Sequence, residues 1–84
     1  MTAEQTVKII LRSLAEDSID STVIFSKSRF ISRYYSLLRQ QKVPKVKIET
    51  LLRELRRQAS STEYLKYYPG KPGWYILDKI ALRW

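Results

Sequence analysis

Neither cysteine nor histidine occurs in this chain of 84 residues. Without cysteine there are no disulfides and no thiolate metal sites. Without histidine the commonest general base, the imidazole that titrates near neutral pH and the usual nitrogen ligand of zinc are missing as well. Apolar runs are short. Ile9-Ile10-Leu11 and Val23-Ile24-Phe25 are typical, far from the about 20 consecutive apolar residues of a membrane-spanning helix. The opening Met-Thr-Ala-Glu-Gln lacks the basic and apolar regions of a signal peptide. These absences predict a cytoplasmic protein with no membrane partner. The eight acidic residues show no paired, inward-facing arrangement, and Gly70-Lys71-Pro72-Gly73 has neither the spacing nor the Ser/Thr of a phosphate-binding loop. No catalytic residue, metal ligand, cofactor or small-molecule site is therefore assigned, and an enzyme is not expected.

What is present suits one small domain over residues 1–84. The composition, 44% hydrophobic and 12% aromatic, is that of a folded chain. A chain of this length buries only about 60–65% of its unfolded surface, so its core is modest. The net charge of +8 is unevenly placed. Residues 1–25 hold two basic against four acidic side chains, whereas residues 26–84 hold fourteen basic against four acidic, a net of +10. A cationic stretch behind a mildly acidic one implies a polyanionic partner on one side of the molecule.

The periodicity is helical first. Thr2-Ala3-Glu4-Gln5 has a capping-box pattern, and Ala3, Val7, Ile10, Leu11 and Leu14 follow at helical spacing, predicting a helix over 3–16. After the polar break at 17–21, Thr22-Val23-Ile24-Phe25 reads as a short strand. Ser26 is a candidate N-cap for a second helix over 27–41, with Phe30, Ile31, Tyr34, Leu37, Leu38 and Gln41 on one face. Pro44 disfavours helical geometry at Val43 but suits the first turn of a new helix. A third helix is thus predicted over 45–58 after a turn of about three residues, with Ile48, Leu51, Leu52, Leu55 and Ala59 inward. A hairpin over 63–77 follows. Both glycines and two of the three prolines fall in Pro69-Gly70-Lys71-Pro72-Gly73 between two runs rich in strand formers, and that is loop chemistry. Tyr34, Tyr64, Tyr67, Trp74 and Tyr75 could serve as stacking platforms for unpaired bases, but periodicity turns most of them inward to supply the core, and Tyr35, Tyr67 and Tyr68 are expected to be partly exposed. Residues 78–84 fit a strand (Ile80, Leu82, Trp84) or a helical stripe (Leu77, Ile80, Ala81, Trp84).

Helix, short strand, helix, turn, helix, strand, basic loop, strand: this order resembles the winged helix-turn-helix family. The fold class expected is accordingly α+β, three helices with a small antiparallel sheet and a β-hairpin wing. Residues 22–77 also look like the C-terminal winged-helix module of phage and plasmid replication primase-helicases. The shared features are the short strand, the aromatic helix with Phe30 and Tyr34, a helix ending in a basic run, and the hairpin Gly-x-x-Gly-Trp-Tyr at 70–75. The chain starts with Met and carries no primase or helicase segment, so a stand-alone viral or plasmid regulator is an equal context.

The resemblance makes the third helix the recognition helix and double-stranded DNA the partner, in transcription regulation or replication. Winding that helix at 100° per residue places Val46, Thr50, Arg53 and Arg57 opposite the apolar side, flanked by Lys45, Lys47, Glu49 and Arg56. Thr50, Arg53 and Arg57 are expected in the major groove, where arginine pairs bidentately with guanine and a threonine methyl touches thymine. Lys45, Lys47 and Arg56 are expected nearby, the lysines on phosphate. Lys27, Ser28, Arg29 and Arg33 from the second helix would meet the duplex backbone, and Lys71 marks the wing tip. If residues 78–84 are helical, Ile80, Leu82 and Trp84 leave apolar surface that would favour a homodimer through the C-terminal segment. The rival reading is a winged-helix protein-interaction module without a DNA role. Such a module needs an apolar or mixed patch, and the outer face of the third helix is cationic.

Overall fold

In a computed structural model, which describes residues 1–82, the chain forms an α+β domain of three helices and one three-stranded antiparallel sheet. Helix α1 (Ala3–Glu16) starts where local chemistry dictates. The Thr2 hydroxyl accepts from the Gln5 amide at 3.2 Å, and the Gln5 side chain accepts from the Thr2 amide at 2.9 Å, so two otherwise orphaned donors are satisfied. Its buried stripe is Thr6, Val7, Ile10, Leu11, Leu14 and Ala15, and the Thr6 hydroxyl is absorbed by the Thr2 carbonyl.

Strand β1 (Thr22–Ser26) runs straight into helix α2 (Lys27–Arg39), because Ser26 both ends the strand and caps the helix, accepting from the Arg29 amide at 3.2 Å. The helix stops two residues before the predicted position 41. Gln41 takes a φ of +59°, and the amides of Gln41 and Lys42 turn back to the carbonyls of Leu38 and Leu37. These are the two bonds of a Schellman stop, in which the left-handed position usually holds glycine. Gln41 is therefore exposed rather than part of the buried face. Replacing Gln41 with glycine is expected to raise stability by about 0.5–1 kcal/mol by relieving its Cβ strain. A higher denaturant midpoint with an unchanged slope is the checking measurement.

Helix α3 spans Ile48–Ser61, three residues later at each end than predicted. At the start, the buried Tyr34 hydroxyl accepts from the Val46 amide at 2.7 Å and donates to the Val46 carbonyl at 3.0 Å. Both polar groups of Val46 are drawn sideways, so Pro44–Lys47 stays outside the helix and the connection occupies residues 40–47 instead of a three-residue turn. Lys47 is the N-cap, extended and without a side-chain capping bond. At the far end, Ser61 and Thr62 hydroxyls return to the carbonyls of Arg57 and Gln58 and carry the helix past 58. The buried stripe is Leu51, Leu55, Gln58 and Ala59; Ile48 and Leu52 are partly covered. Gln58, fully buried, accepts from the Tyr64 hydroxyl at 2.6 Å and donates to the Glu4 carbonyl and the Glu54 carboxylate.

Strands β2 (Leu65–Tyr67) and β3 (Trp74–Asp78) form the hairpin, and β1 pairs with the other side of β3, giving the order β1-β3-β2. The loop consists of two consecutive turns sharing Lys71. The Lys71 amide bonds to Tyr68 O and the Trp74 amide to Lys71 O, with Gly70 and Gly73 at φ +77° and +80° in the third positions. Proline second and positive-φ glycine third is the type II pattern, used here twice. Alternation puts Val23, Phe25, Leu65, Tyr75 and Leu77 on the inner face, buried beneath the helices. The rings of Phe30, Phe25, Tyr75 and Tyr67 run in sequence from the core out to the exposed Tyr67 at centroid distances of 6.3, 5.6 and 5.5 Å.

Beyond β3 the chain is neither strand nor helix as far as residue 82. Asp78 accepts from the amides of Ile80 and Ala81 to form a turn, and Leu82 folds back into the core. Leu82 thus adds nothing to the apolar surface anticipated for a dimer; Ile80 remains 65% exposed, and Trp84 lies outside the described residues. No helix among them is long and apolar enough to cross a membrane.

Candidate functional site

The charged side chains separate into two populations. Every ion pair among the described residues uses Glu4, Glu16, Asp17 or Glu54: Lys8 and Arg57 with Glu4, Arg12 with Glu16, Arg33 with Asp17, and Arg57 with Glu54. These lie on α1, just after it, or on the flank of α3 that meets α1. By contrast Lys27, Arg29, Lys45, Lys47, Arg53, Arg56 and Lys66 are exposed and form no ion pair among the described residues. Their positive charge is therefore not neutralised within the domain.

The geometry divides the residues that the sequence singled out. On α3, Arg53 stands at the middle of the face opposite Leu51, Leu55, Gln58 and Ala59, with Arg56 on the flank toward the hairpin. The Tyr67 hydroxyl reaches the Arg56 carbonyl at 3.4 Å, a contact that joins β2 to this flank. Thr50 is half-buried on the same face. Lys45 and Lys47 are exposed, but on the extended segment leading into α3 and not on the helix.

Arg57 differs from Arg53. Its Nε lies 2.9 and 2.7 Å from the two Glu54 oxygens, and its Nη2 is 2.7 Å from Glu54 Oε2 and 3.6 Å from Glu4. The fork-to-fork bond from Arg57 holds the Glu54 carboxyl below the ordinary carboxylate range despite the opposing effect of its burial; a second bond, from Gln58, acts in the same direction as Arg57. The guanidinium expected in a groove is thus occupied within the fold. The same is true of Arg33. It donates to the carbonyl and hydroxyl of Ser13 at 3.0 and 2.8 Å and pairs with Asp17, fastening α2 to the last turn of α1, where a cation meets the negative end of that helix. Its position on α2 pointed to a backbone contact because the acceptors come from a different helix.

The start of α2 and the hairpin loop form one unit. The Lys27 amide donates to the Gly73 carbonyl at 2.8 Å, and Ser26, Lys27, Ser28, Pro72, Gly73 and Trp74 line an open cleft between them. Lys27, Ser28 and Arg29 are all exposed there. Lys71, at the shared corner of the two loop turns, holds its ammonium 4.9 Å from the Trp74 ring centre. Trp74 is not among the aromatics that turn inward. Trp74 pairs in register with Ser26 on the face away from the helices and is 37% exposed, while its neighbour Tyr75 takes the inward place. Alternation from Leu77 backwards carries the signal that would have found this.

Comparison of the chain with family models, with curated proteins and with solved structures returns no match.

Proposed function

We propose that the chain is a winged helix-turn-helix domain that binds double-stranded DNA, serving as a small transcriptional regulator or a replication or plasmid-type site-binding factor. The element order α-β-α-α-β-β and the strand order β1-β3-β2 support the fold reading. The observation that carries the functional reading is the set of unneutralised cations: Arg53 and Arg56 on the outer face of α3, Lys45 and Lys47 leading into it, Lys27 and Arg29 at the start of α2. In this reading α3 enters the major groove, which a helix fits, and Arg53 and Arg56 address base edges beside Thr50. Lys27, Ser28, Arg29, Lys45, Lys47 and Lys71 contact phosphates and set the register. Arg33 and Arg57 support this surface from behind instead of joining it.

Neutralising phosphates releases condensed counterions, so affinity must fall steeply with salt. With about six phosphates contacted, log affinity against log salt has an expected slope on the order of −5. Fluorescence anisotropy with a labelled duplex across a salt series measures it. Absence of binding at low salt overturns the reading in favour of a protein-interaction module.

A further inference from the structure

Trp74 is a large aromatic on the side of the sheet that no described helix covers, 37% exposed, at the wall of a cleft whose other members are hydroxyls, a lysine and a turn. We propose that this cleft is a subsite for one unpaired nucleotide, its base stacked on the Trp74 indole and its phosphate held by Lys27, Ser28 and Lys71. The inference rests on the nucleic-acid reading above and narrows it: the ligand is duplex DNA that ends in, or is interrupted by, a single-stranded segment.

Three features support it. The first is chemistry: base–aromatic stacking tolerates any base and needs an accessible ring beside cations that follow the backbone. Trp74 has Lys71 beside it at 4.9 Å and Lys27 across the cleft. The second is rigidity. The Trp74 amide and carbonyl are both bonded to the loop, to Lys71 O at 3.2 Å and Tyr68 N at 3.0 Å, and the loop is bonded to α2 through Gly73 O and Lys27 N at 2.8 Å. The backbone that carries the ring is held in place before any ligand arrives, so little cost of ordering the loop falls on binding. The third is placement. Lys27, Ser28 and Arg29 also belong to the proposed duplex-facing surface, so a strand leaving the duplex there meets Trp74 next. Lys71, now over the ring, has a flexible stem that swings to the phosphate as the base takes its place.

Two titrations test this with the full chain, using a blunt duplex and the same duplex carrying a short thymidine overhang. The overhang duplex is expected to bind about tenfold more tightly. In a Trp84→Phe chain, the remaining Trp74 fluorescence is expected to be quenched by the overhang duplex and not by the blunt one. Trp74→Ala should abolish the tenfold preference while keeping affinity for the blunt duplex. Should that variant not fold, the preference and the quenching in chains that retain Trp74 decide the matter. Equal affinity for the two duplexes with unchanged fluorescence overturns the subsite and leaves the duplex reading standing. Binding to neither overturns both.

Discussion

Alanine at Arg53 is expected to weaken binding to a preferred duplex by about 1–3 kcal/mol and to relax sequence preference at one position, with no change in melting temperature. Alanine at Arg57 is expected to do the opposite. The two residues share the outer half of α3, and sequence alone gives them one role. Their surroundings separate them. The Arg53 side chain has no hydrogen-bond or ion-pair partner among the described residues, whereas Arg57 is held on two nitrogens by Glu54 and is 3.6 Å from Glu4. For Arg57 to reach a phosphate or a guanine it would have to leave two carboxylates, and those would then repel the same DNA. Its removal leaves Glu54, whose side chain is only 14% exposed, without its guanidinium partner. The expected signature is a lower melting temperature with nearly unchanged affinity. Measuring both quantities on both variants decides it. Equal losses of affinity at Arg53 and Arg57, with stability untouched, would sink the division of labour.

What the sequence made legible is what is decided locally. The start of α1 needs only Thr2 and Gln5, three residues apart, and its boundaries match. The hairpin loop needs only the twice-repeated Pro-Gly, since each pair specifies a type II turn without outside help. The charge asymmetry was likewise countable from the residues alone. What escaped is decided at a distance. The start of α3 is set by a hydroxyl on Tyr34, twelve residues upstream of Val46, and no periodicity of apolar residues registers that bond. Gln58 reads as an ordinary polar residue, and it is buried because Tyr64, Glu4 and Glu54 converge on it. Arg33 is indistinguishable in sequence from Arg29, because only the packing of α1 beside it brings Asp17 within reach, whereas Arg57 has a local partner three residues before it in Glu54 and gains Glu4 only through that packing.

Phenylalanine at Tyr34 provides the sharpest test of how the fold prepares the proposed surface. The ring keeps its place in the core, but the hydroxyl that serves both polar groups of Val46 is lost. An unmade bond at a part-buried amide costs about 1–2 kcal/mol, and the denaturant midpoint should fall accordingly with an unchanged slope. The loss is local in structure. Amide exchange should accelerate at Val46 well beyond the change seen in the middle of α1, which reports global opening. The segment freed carries Lys45 and Lys47, two of the cations assigned to phosphate. Binding would then have to order that segment, so duplex affinity should drop several-fold through conformational entropy. No charge has been removed, however, and the number of counterions released stays the same. The salt slope should therefore equal that of the unaltered chain. A Lys47→Ala chain provides the contrast: its slope should become shallower by about one while exchange at Val46 stays slow. If Tyr34→Phe changes the slope, or leaves Val46 exchange unaltered, the hydroxyl is not what holds the basic segment in place.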